Sequence, residues 1–136
     1  MLVLDCSVAL AWCFRDEHSP SVIKIAHDIA EYGAVVPSLW RLEIANGLQT
    51  AVRRGRIERA MRDQLLDQFA AYPLTVDSMT NDFAWSSTLA LSDKYGLSAY
   101  DAAYLELALR RGLPLASLDR ALCDTAQAAR VPLVPL

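Results

Sequence analysis

The chain lacks most of what would mark an easy functional class. It has only two histidines, His18 and His27, isolated in a helical, exposed region. Its three cysteines, Cys6, Cys13 and Cys123, contain no C-x-x-C pair and are odd in number. That excludes a disulfide framework, makes a zinc site improbable, and leaves buried free thiols in a reducing compartment. No run reaches the roughly 18 apolar residues of a membrane span. The opening "MLVLDCSVALAWCF" has no basic flank and is interrupted by Asp5, so it reads as structure rather than a signal peptide. A cytoplasmic protein without membrane attachment is expected. No G-x-G-x-x-G follows the first apolar run, which argues against a dinucleotide site. Repeats, low-complexity tracts and linkers are also missing. With 54% hydrophobic residues, 1–136 is expected to form a single domain around one core.

What is present is an alternation. Apolar runs "LVLD" (2–5), "AVVP" (34–37), "LTVD" (74–77), "PLAS" (114–117) and "PLVP" (132–135) predict five strands buried on both faces. Seven helical segments lie among them: "SVALAWCF", "SPSVIKIAHDIAEYG", "SLWRLEIANGLQTAVRRG", "IERAMRDQLLDQFAAY", "NDFAWSSTLALSDKYG", "SAYDAAYLELALRRG" and "DRALCDTAQAAR". Several begin at Ser, Asn or Asp and several end at Gly, as helices do. This pattern predicts right-handed crossovers and a largely parallel sheet covered on both faces, an α/β fold.

Four of the sixteen acids stand apart. Most others, such as Asp63, Asp67 and Glu106, read as solvated. Asp5 follows the first strand at its carboxyl end, the edge where open parallel sheets build sites. A turn or cap role is the plain alternative, but Ser7 is available as the cap. Glu43 has Leu39, Trp40, Asn46 and Gly47 as its helical neighbours, an apolar or small surrounding rather than a solvated stripe. Asp101 stands three residues after Ser98, the spacing of a capping box, and alone would be read as that. Asp119 ends "LASLD" at a helix start, where an N-cap aspartate is common, and Ser117 lies two residues before it. Taken together, two of these acids follow strands at one sheet edge, and two lie near starts of helices able to lean over it. Carboxylates converging without lysine or arginine are stable only when protonated or holding a cation. Oxygen-only ligands suit Mg²⁺ or Mn²⁺. Such ions activate water against a phosphodiester and stabilise the leaving oxygen.

At these residues the sequence resembles the PIN-domain family, and within it the VapC-type toxins of bacterial toxin–antitoxin pairs. "VLDCSV", "PSLWRLEIANGL", "LSAYDAAYLELALRRGLPLASLD" and "AARVPLV" carry the resemblance in order along nearly the whole chain. The family's acids then fall on Asp5, Glu43, Asp101 and Asp119. Ser117 falls on its threonine or serine position, and Ser7 on a position often small and polar. The resemblance implies a three-layer α/β/α fold with strand order 3-2-1-4-5 and a switch point between the first and fourth strands. It also implies a Mg²⁺- or Mn²⁺-dependent endoribonuclease, usually a homodimer, held inactive by a small antitoxin. Many relatives cut tRNA or ribosomal RNA.

Rival readings fit less well. A receiver-type regulatory module needs paired acids after the first strand and a late lysine, yet "DCS" has one acid and the last lysine is Lys94. The same "DCS" lacks the D-x-D of a haloacid-type phosphatase. A non-catalytic PIN-like module would have no need of all four acids. The net charge of −3 argues against a whole-surface grip on nucleic acid, but Arg53, Arg54, Arg56, Arg59 and Arg62 cluster. Glu58 with Arg62 and Arg59 with Asp63 are expected as i,i+4 pairs, leaving Arg53, Arg54 and Arg56 for RNA or antitoxin. Trp12, Phe14, Trp40 and Trp85 are read as core, with Trp40 the best candidate to line a groove near the site.

Overall fold

The computed structural model describes residues 1–136. Strand β1 (Leu2–Leu4) is buried at every position and leads through Asp5 into helix α1 (Cys6–Trp12). A 3₁₀ turn (Arg15–Glu17) and α2 (Pro20–Tyr32) return the chain to β2 (Ala34–Val36). Helix α2 starts as its sequence prescribes: the Ser19 hydroxyl accepts from Val22 N–H, and Pro20 occupies the first turn. Then come α3 (Trp40–Arg53), α4 (Arg59–Ala71), β3 (Leu74–Val76), α5 (Thr80–Phe83), α6 (Ser87–Tyr95), α7 (Ala99–Arg111), β4 (Leu115–Ala116) and α8 (Arg120–Ala128).

The strands pair in parallel in the order β3-β2-β1-β4. The expected fifth strand is reduced to one bridge, Leu133 beside Leu115, at the predicted place outside β4. The reason lies in "PLVP": Pro132 and Pro135 have no N–H, so Val134 supplies the one donor to Leu115. The expectation of burial on both faces fails for β3, an edge strand whose Thr75 and Val76 are exposed. The expected helix over 81–96 is two, α5 and α6. They part at Ala84–Ser86, where Trp85 is 92% exposed rather than in the core.

Right-handed crossovers put α1–α4 on one face of the sheet and α5–α8 on the other. The packing follows that division: α1 lies on α2 and α3, and α7 on α6, α8, β1 and β4. Helix α7 is therefore enclosed, and Ala102 through Ala108 are all buried. Leu107 is fully buried, and truncating it to Ala would cost roughly 2–5 kcal/mol. The ladder also sets the site. Asp5 N–H donates to Ala116 O at 3.0 Å, so the residues following β1 and β4 lie side by side. No helix is long and apolar enough to cross a membrane.

Candidate active site

Asp5 caps α1 by position and is 4% exposed. Its carboxylate makes no capping bond. Instead Oδ2 accepts from Ser7 Oγ at 2.6 Å and from Ser117 Oγ at 2.7 Å. Ser7 is thus not the cap expected of it. It lies inside α1, and its hydroxyl also accepts from Leu118 N–H at 2.9 Å, tying the two strand ends together. Ser117 Oγ likewise accepts from Asp119 N–H at 3.0 Å. Burial raises Asp5 above the usual carboxylate range and the charge of Asp119 adds to this, against the two hydroxyls.

Glu43, in the first turn of α3, reaches across to the other helical layer. Its Oε1 accepts from Tyr104 Oη at 2.6 Å. Burial raises it too, and Asp5 and Asp101 raise it further, while the Tyr104 and Cys6 side chains oppose the shift. Asp101 is the third residue of α7. Ser98 Oγ accepts from its N–H at 3.1 Å, so half of the capping box forms. Burial, then Asp119 and Asp5, raise its carboxyl. Asp119 is exposed and caps α8, its Oδ1 accepting from Leu122 N–H at 2.9 Å. The structure thus brings the four acids within reach of one another's charge. No lysine or arginine forms an ion pair with any of them. No three His, Cys, Asp or Glu side chains stand in a ready-made coordination set.

Tyr104 escaped the sequence reading. A signal was there: a tyrosine within an apolar helix must find a partner for its hydroxyl, and this one follows Asp101 by one turn. Burial, with Cys6, Asp5 and Glu43 nearby, holds the phenol far above its ordinary value, so it remains a donor.

Other expectations need correction. Trp40 is buried against Phe69, edge to face at 5.8 Å. It lines an apolar cavity of about 240 Å³ with Ile44, Leu66, Phe69 and Val76, and none of the four acids borders that cavity. Glu106 is not solvated: it is 4% exposed and paired with Arg110, which also holds the buried Asp77. Arg56 pairs with Asp16 and Glu17 and stacks on Phe14. The Glu58–Arg62 and Arg59–Asp63 pairs do not form. Glu58 is the extended residue before α4, and Arg62 turns to Asp63 and Gln49. Exposed Arg53 lies about 15 Å along α3 from Glu43. The cysteines are free but half-buried rather than buried.

A parallel sheet in this order, with its acids gathered at the carboxyl edge beside the β1–β4 junction, defines a class, and residues 2–128 match the PIN domain model. The chain belongs to the PIN-domain family. Its relatives include Ribonuclease VapC9 of Mycobacterium tuberculosis, 32% identical over 94% of this chain and 93% of that protein. Ribonuclease VapC3 of Pyrobaculum aerophilum is 28% identical, over 96% and 98%. Among solved structures, PAE2754 of Pyrobaculum aerophilum has the same fold, with a TM-score of 0.66, 24% identity, and coverage of 91% of this chain and 84% of that one.

Proposed function

We propose that the protein is a Mg²⁺- or Mn²⁺-dependent endoribonuclease, the toxin of a toxin–antitoxin pair. The observation that carries this reading is the buried, uncompensated charge. Asp5, Glu43 and Asp101 are all raised by burial and by like charges, with no basic partner. Such a group favours a cation. The donors are oxygens only, which fits a hard divalent ion. Such an ion keeps several of its waters and needs few direct protein ligands.

Asp5, Glu43, Asp101 and Asp119 would hold the ion. When bound it supplies Lewis-acid chemistry, making water a better nucleophile and the departing ribose oxygen a better leaving group. The protein's own part is orientation. Ser7 and Ser117 hold one oxygen of Asp5, and Asp119 is fixed by its cap bond to α8. The substrate would be an RNA strand, tRNA or ribosomal RNA by analogy with the family.

The ribonuclease names of the relatives support an RNA substrate, and the resemblance to VapC-type toxins implies a small cognate antitoxin. We assign it apolar contacts at the cavity over Trp40 and a basic side chain entering the acid cluster. A homodimer is part of the same proposal. The purified protein should cut structured RNA with Mg²⁺ or Mn²⁺ and stop with EDTA. Cleavage that survives thorough chelation would remove the mechanism.

A further inference from the structure

We propose that Tyr104 is a positioning residue for Glu43, and through it for the divalent cation, an inference that rests on the metal-dependent reading above. Tyr104 is 0% exposed, and its hydroxyl donates to Glu43 Oε1 at 2.6 Å across 61 residues of sequence. The length is that of a charge-assisted O–H···O⁻ bond. Packing alone does not call for this hydroxyl. A phenylalanine ring would fill the same space without bringing a polar atom into the core.

The kind of donor matters as much as the bond. A long glutamate side chain, half-buried at a helix start, has rotamer freedom to lose before it can hold an ion. An arginine would take that freedom but cancel the charge and exclude a cation. A phenol fixes the carboxylate and leaves its negative charge intact. Asp5 is held in the same manner, by the hydroxyls of Ser7 and Ser117. The Tyr104 bond is made to Oε1, and a carboxylate so held keeps its second oxygen to offer a cation. Because Asp101 precedes Tyr104 by three residues on α7, one helix carries both a carboxylate and the brace for another carboxylate from the opposite layer.

The test is a double-mutant cycle on Mn²⁺ affinity, read by the electron paramagnetic resonance of free Mn²⁺ with no RNA present. The variants are Y104F, E43Q and the pair, each checked for fold by circular dichroism. Loss of a hydrogen-bond partner behind a metal ligand weakens affinity about 10-fold or more. Y104F should show that loss. E43Q should lose more, and the pair should match E43Q, since the tyrosine acts only through the glutamate. In cleavage, Y104F should raise the Mn²⁺ concentration for half-maximal rate and leave the KM for RNA unchanged. Mn²⁺ affinity in Y104F within twofold of wild type, or effects of the two variants that add, would overturn the assignment and leave the nuclease reading intact. Wild-type protein that binds no Mn²⁺ would overturn both.

Discussion

Two groups of carboxylates lie against opposite halves of α7, and they are built on opposite plans. At the carboxyl-terminal half, Arg110 donates to Glu106 at 2.7 Å and to Asp77 at 2.7 Å, stacks over Phe83, and welds the end of β3 to the helix. Thr80 Oγ1 adds a bond to Asp77 at 2.8 Å. At the amino-terminal half, Asp101 and the three acids around it have hydroxyls for neighbours and no cation. The titration behaviour divides accordingly. Burial acts to raise Asp77, yet the bonds from Arg110 and Thr80 bring it below its ordinary value. Burial also acts on Asp5, Glu43 and Asp101, and there nothing reverses it. One guanidinium separates carboxylates that serve the fold from those to which we assign the cation.

The comparison breaks most visibly through activity. Asp5→Asn preserves shape and both serine bonds but removes a charge. RNA cleavage should fall below detection while circular dichroism stays unchanged. A folded, active Asp5→Asn protein would dissolve the distinction between the two groups. Next in size, Arg110→Met should destabilise by about 3–5 kcal/mol, because it strands two buried carboxylates. Urea unfolding measures this, and a loss under 1 kcal/mol, a surface-pair value, would show the network to be dispensable. Replacing Asp77, Glu106 and Arg110 together by apolar residues should cost much less.

A third test uses pH in EDTA. Groups whose folded pKa is raised bind more protons folded than unfolded, so stability falls as pH rises through their folded values. Asp77, lowered, acts in the opposite sense and loses its contribution as pH drops below the ordinary aspartate value of 3.8. Metal-free protein should therefore lose the cluster's contribution as pH rises above the ordinary carboxylate values of 3.8 for Asp and 4.5 for Glu, and lose that of Asp77 as pH falls below 3.8. Saturating Mg²⁺ should flatten the upper limb. An upper limb of the opposite slope would mean that the acid cluster is not under charge strain. The smallest effect belongs to Asp101→Asn. In EDTA its melting temperature should rise by about 1–3 °C, discounted for the group's partial exposure. If Asp101 serves only as a cap, scanning calorimetry will show a decrease instead.

Much of this was legible beforehand, and for identifiable reasons. Runs such as "LVL" and "AVV" are buried on both faces, so composition alone marked them. The carboxyl edge of β1 placed Asp5. Other features depend on contacts that no local pattern records. Glu106 and Arg110 are four apart and could be paired on sight, but their third partner, Asp77, is 33 residues from Arg110. No proline or glycine marks the break between α5 and α6, so Trp85 looked like core. Capping signals alone would have given Asp101 and Asp119 a plain structural role: Ser98 caps α7 through Asp101 N–H and Asp119 caps α8, yet the charges of both acids reach Asp5. The two roles coexist because a carboxylate has more than one lone pair to offer.

The two rims of the sheet bear on how molecules of this chain meet one another. On one rim, Pro132 and Pro135 bracket Leu133 and Val134, so the last segment has few outward N–H groups to offer an arriving strand. The other rim, β3, ends in exposed Thr75 and Val76 with its outer hydrogen-bonding side unpaired in the monomer. Edge-to-edge growth is therefore one-sided: two copies can join β3 to β3 across a twofold axis and stop, whereas an open-ended stack would need the proline rim as well. The two prolines that cost the chain a fifth strand also leave that rim a poor template for another strand.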